Sequence, residues 1–164
     1  MTRIFDSEIY IDKHDKWIFR GNEITKEEIL LYFRSNLVSN DKGVYIYNTF
    51  GTLSEHGYVQ IYGFPCHILH VEWKEEQLVF FTDDGKELPF GVLEIYESDA
   101  FGIIAMDPSQ EKIKYRFNWN AAKDLSKFLI EDEMDIYLEL NGAKISIPKW
   151  EGEITVPLPV NFES

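Results

Sequence analysis

Apolar and polar residues alternate along most of this chain, in short runs broken by turn-forming residues. "EIYID" (8–12) and "KWIFR" (16–20) flank the polar turn Lys13-His14-Asp15, which predicts a hairpin. "VYIYN" (44–48), "YVQIY" (58–62), "CHILHVEW" (66–73), "QLVFFT" (77–82), "VLEIY" (92–96), "FGIIAM" (101–106) and "KIKYRF" (112–117) read as further strands. Asp84-Gly85 and Asp107-Pro108 supply turns between them. The strongest hairpin signal is "DIYLEL-NG-AKISIP" (135–148), because Asn141-Gly142 tolerates the two positive φ angles of a type I′ turn. Pro148, Pro157 and Pro159 predict an extended edge segment in the tail.

The pattern switches to helical spacing twice. Thr25 as N-cap with Glu28 three residues on makes a capping box, and Ile24 with Ile29 makes a hydrophobic staple. Ile29, Leu30, Phe33 and Leu37 then predict one buried helical face. Asn118 or Asn120 caps a second helix, whose apolar face is Ala122, Leu125, Phe128 and Leu129. The expected fold class is α+β: antiparallel β-rich sheets of at least seven strands with two packed helices, near 25–38 and 119–131. Residues 16–48 and 112–141 share an order of strand ending in arginine, polar cap, helix, polar turn and strand, which points to two repeated β-α-β motifs. The organisation expected is one compact domain over 1–164, with two similar halves at about 1–62 and 63–164.

Composition narrows the function classes. Hydrophobic residues make up 45% of the 164, enough for a core that needs neither disulfide nor metal. A single cysteine forms no internal disulfide, which fits a reducing compartment. No apolar run reaches the length of a membrane helix, and Met1-Thr-Arg-Ile-Phe-Asp lacks the pattern of a signal peptide, so a cytoplasmic location is expected. The formal charge of −13 opposes nucleic-acid backbones and anionic membranes, leaving a small molecule or a protein as the partner class, with oligomeric state open.

"GFPCHILH" (63–70) concentrates the candidate chemistry: Cys66, His67 and His70. In a strand, Cys66, Ile68, His70 and Glu72 face one way, and His67, Leu69 and Val71 the other. The two histidines then lie on opposite faces, and Cys66 and His70 stand roughly 13 Å apart at strand rise, too far for one ion. No metal and no cofactor are expected. A catalytic thiol needs a base beside Cys66, and the adjacent His67 faces away, so a packed cysteine is the preferred reading. Glycine-rich phosphate loops, nucleophile elbows and EF-hand spacing are absent, and the acidic run Glu131, Asp132, Glu133 and Asp135 reads as a solvated loop.

The segment "IYIDKHDKWIFRGNEITKEEILLYFRSNLVSNDKGVYIYNTF" resembles the opening of the bacterial family called domain of unknown function 1285 (DUF1285). The matching features are Ile11, Asp12, Trp17, Gly21, Ile24, Phe33, Leu37, Gly43 and Tyr45, and "YGFPCHILHVEW" and "LVFFTDDGKE" resemble the family's later strands. The resemblance covers most of the first 90 residues. Thr49-Phe50 replaces the family's Thr-Pro, and Cys66 stands where an aromatic is expected. The resemblance implies an α+β fold with repeated motifs and a part in signal transduction, and it carries over no catalytic residue.

These readings lead to a non-enzymatic cytoplasmic module that binds a small ligand or a protein partner. The alternative is a small hydrolase-like enzyme using Cys66 with a nearby histidine. Arg20 and Arg116 are the candidate ligand-binding residues, because both end strands that precede the helices, where a guanidinium and free helix N–H groups suit an anion. Salt bridges from Arg20 to Glu23 or Asp12 are the competing assignment.

Overall fold

A computed structural model describes residues 1–162. The chain opens with β1 (Thr2–Ile11), β2 (Trp17–Phe19), β3 (Asn22–Glu23), α1 (Glu27–Ser35), β4 (Leu37–Asn40), β5 (Gly43–Phe50) and β6 (Leu53–Ile61). These form one six-stranded sheet in the order β3-β2-β1-β6-β5-β4. Next come β7 (Cys66–Lys74), β8 (Gln77–Thr82), β9 (Glu87–Pro89), β10 (Glu94–Ser98), β11 (Gly102–Met106) and β12 (Lys114–Phe117), in a second sheet ordered β10-β11-β12-β7-β8-β9. α2 (Trp119–Ser126) leads into a third sheet of β13 (Leu129–Glu131), β14 (Ile136–Leu140) and β15 (Ala143–Ser146).

The fold is therefore α+β and mostly strand, and antiparallel pairing dominates. The centre of each six-stranded sheet is different: β1 pairs with β6, and β7 with β12, in parallel. The two sheets also share one topology. In each, the chain steps outward from the centre through three antiparallel strands, crosses over, and steps back inward through three more. α1 makes the crossing in the first sheet, and a single 3-10 turn at Phe90–Val92 makes it in the second. The strand–helix–hairpin order of residues 16–48 and 112–141 is present as well, with its second hairpin in the third sheet.

Both helices are shorter than their sequence spacing implies. α1 is capped by Lys26 without a side-chain hydrogen bond, so Thr25 is not the cap and the capping box does not form. Glu27 and Glu28 instead place negative charge in the first turn. Leu37 belongs to β4, where it pairs with Ile46, because continuing the ladder satisfies backbone groups that a longer helix would leave at a frayed end. α2 begins as expected, with the Asn118 carboxamide accepting from the Ala121 N–H at 2.8 Å. It stops at Ser126, and Leu129 pairs with Leu138 in β13. The 141–142 turn has the expected backbone, with φ of +50° at Asn141 and +78° at Gly142.

The core is continuous across the sheets. Trp17, Val59 and Ile61 of the first pack in one cluster with Cys66, Ile68 and Phe80 of the second, and Leu125 and Leu138 extend it to α2 and the third sheet. The proline-containing tail is extended, with Val156 bridged to Ile61 and Lys149 to Glu97. Among the described residues, no helix is long and apolar enough to cross a membrane.

Candidate functional site: an apolar cavity beneath the first helix

The pairing of β1 with β6 shifts register between Asp6 and Ile9, where Ser7 and Glu8 have no partner in the ladder. Glu8 takes φ +64° here, and Phe5, Ser7 and Ile9, at alternate positions of β1, face the same space. The Ser7 hydroxyl is held in place: it donates to the Tyr58 carbonyl at 2.7 Å and accepts from the Ile9 N–H at 3.1 Å. Gly57 of β6 stands opposite Phe5 on one side and Ile46 on the other. A Cβ there would lie 3.2 Å from the Ser7 Cβ and 3.3 Å from the Phe5 ring, so glycine leaves the floor open.

α1 closes the other side of this space with Ile29 and Phe33. Phe33 is fixed by stacking on Trp17, ring centroids 6.1 Å apart. The cavity between sheet and helix has a volume of about 400 Å³. Apart from Ser7, whose hydroxyl is already bonded, its polar side chains are Asn48 and Glu55, which are cross-strand partners at one end. The Tyr32 hydroxyl reaches down from α1 and donates to the Asn48 Oδ1 at 2.6 Å. Ile29 was expected on a buried helix face, but it is 39% exposed and borders the cavity; Leu30 is the α1 residue that is buried.

A second cluster joins the two sheets. The His67 Nε2 meets the Asp15 carboxylate at 2.7 Å, and its Nδ1 meets Asp83 at 3.1 Å. Arg34 of α1 lies 3.6 Å from Asp83, and Arg116 of β12 lies 3.8 Å from Asp15. Backbone bonds from Phe64 to Asp15 and from His67 to Asp83 tie in the 62–65 connection. Gly63 is required there, since a Cβ would sit 2.3 Å from the Asp12 carbonyl oxygen. Burial alone would lower the His67 pKa, but the hydrogen bonds and charges of Asp15 and Asp83 outweigh it and raise the pKa to about 9. At neutral pH His67 is thus a cation donating from both nitrogens, without a lone pair to act as a base.

Cys66 is fully buried. Burial, together with the negative charges of Asp84 and Asp83, pushes its thiol pKa well up, the opposite of an activated nucleophile. The expected alternation along 66–72 holds only to Ile68. A bulge at Leu69 shifts the register, so Val71 joins Cys66 and Ile68 in the core while His70 turns out and stacks on Phe81 at 4.2 Å.

Arg20 occupies the β2–β3 turn with φ +49°, and β3 separates it from α1. Its partner is Glu8, at 2.6 Å; Glu23 pairs with Lys16, and Asp12 accepts backbone N–H groups. Arg116 directly precedes the α2 cap region, with its guanidinium over Phe64 at 5.7 Å and Asp15 as its carboxylate. Each arginine therefore engages a separate carboxylate. The cavity and the His67 cluster were not singled out by sequence. The available signals were Gly57 inside a strand and an aspartate at each of two turns.

No protein-family model and no curated protein matches the sequence. Among solved structures, a DUF1285 family protein from Silicibacter pomeroyi DSS-3 superposes with a TM-score of 0.65 at 15% identity, over 87% of this chain and 80% of that one. The fold is that of DUF1285 proteins. A second DUF1285 protein, from Shewanella baltica OS155, gives a TM-score of 0.50 at 14% identity, over 68% of this chain and 84% of its own. The DUF1285 likeness at these identities is one of fold. It extends well beyond residue 90, where the likeness in sequence thins out.

Proposed function

We propose that this chain is a binding module, not an enzyme, and that the cavity beneath α1 holds a small apolar molecule. The carrying observation is the cavity itself: about 400 Å³, walled mostly by apolar residues of a sheet and a helix, with Asn48 and Glu55 at one end. That size and lining are typical of small-molecule sites. A role in signalling is the natural extension. α1 contributes Ile29 and Phe33 to the cavity and Arg34 to the cluster that joins the second sheet, so a change in α1 on binding reaches both halves.

The test uses Nile red, a neutral dye that brightens in apolar surroundings. The wild type should bind it with micromolar affinity. Gly57→Leu fills the floor and Ile29→Glu puts a charge on the wall; each should weaken binding at least tenfold with an unchanged circular dichroism spectrum. Failure of the wild type to bind the dye, or equal binding by both folded variants, would remove the cavity as the site.

A further inference from the structure

The polar end of the cavity is asymmetric in its chemistry. Asn48 Oδ1 is taken up by the Tyr32 hydroxyl and the Thr49 N–H. The Glu55 carboxylate, in contrast, accepts no hydrogen bond among the described residues, although its side chain is only 16% exposed and lines the cavity. Among the described residues its salt-bridge partner is Arg3, the β1 residue in register with it. That contact is 3.9 Å long, the Arg3 side chain is 63% exposed, and its guanidinium lies over the Phe5 ring at 4.4 Å. Arg3 is therefore a loose neighbour that leaves acceptor capacity on Glu55 unused.

A half-buried carboxylate with unused lone pairs, at the end of an apolar cavity, matches a hydrogen-bond donor on the ligand. We propose, building on the cavity as the binding site, that the ligand is an apolar amine: a hydrocarbon or ring body in the cavity and an ammonium group on Glu55. A carboxylate in that position would face Glu55 and carry its charge into a protein of net charge −13. The amine, in contrast, supplies N–H donors to Glu55, and its body meets Phe5, Ile9 and Phe33.

Decylamine, decanol and decanoate share one body and differ at the end, so displacement of Nile red by each at 0.15 M salt isolates the headgroup. Decylamine should displace the dye at about tenfold lower concentration than decanol, the effect of one charge-assisted hydrogen bond, and decanoate should be weakest. Glu55→Gln should bring decylamine close to decanol and leave decanol unchanged. Decanoate equal to or tighter than decylamine, or a decylamine preference that survives Glu55→Gln, would overturn the assignment. Dye binding without any headgroup preference sinks the amine alone, whereas absence of dye binding sinks the cavity reading with it.

Discussion

His67 shows how a single residue can be misread when its neighbours in space are unknown. In sequence it lies next to Cys66 and invites a catalytic pairing; in the fold it is clasped between Asp15 and Asp83, which lie in turns of the first and second sheets. Its unfolded pKa is near 6.5 and its folded pKa about 9. The charged form is therefore favoured by folding. The resulting stability is fully present below pH 6.5 and is lost as pH rises through 9, amounting to about 3 kcal/mol at full strength. Urea midpoints measured at pH 6 and pH 9.5 should fall in the wild type. His67→Gln should be less stable at pH 6 and show a smaller fall. Parallel declines in the two proteins would mean that the clasp does not titrate as described.

At the scale of elements, what was legible depended on whether local chemistry alone decides the outcome. Asn118 and the Asn141-Gly142 turn act through their own backbone, and both form as the sequence implies. Thr25 carries an equally good cap signal, yet the chain enters α1 one residue later because Lys26 holds the cap position. The contrast is measurable: Asn118→Ala should cost about 1 kcal/mol in chemical unfolding, while Thr25→Ala, at an exposed site, should stay within about 0.5 kcal/mol. Equal losses would mean that Thr25 caps after all. The irregularities at 6–9 and at Leu69 were not legible, since one or two extra residues in a strand leave no mark on composition. They matter more than the helix ends. The first shifts β1 against β6 beside the cavity, and the second places Val71 in the core and turns His70 outward. A cavity whose floor is a glycine is nearly invisible to periodicity.

At the scale of the whole molecule, the chain repeats a topology without repeating a sequence. The crossing of the first sheet is a helix and that of the second a 3-10 turn. The first crossing therefore places a helix over an apolar cavity, whereas in the second half the helix packed against β7 and β12 is α2, which follows the sheet instead of crossing it. The halves are nevertheless joined tightly. One hydrophobic cluster spans both sheets, and the Arg34–Asp83–His67–Asp15–Arg116 chain of contacts crosses between them. Separating the halves would strand Asp15 and Arg34 from their partners and expose Trp17, which packs in the shared core and donates to the Pro65 carbonyl. Unfolding should therefore be a single cooperative event. Tryptophans lie in both halves, at positions 17, 73, 119 and 150, so fluorescence reports on each. The fluorescence and circular dichroism transitions in urea should coincide, and the isolated segment 1–62 should show no cooperative transition. Two resolved transitions, or a folded 1–62 segment, would mean that the sheets are independent units and that occupancy of the cavity cannot be transmitted through α1 to the second half.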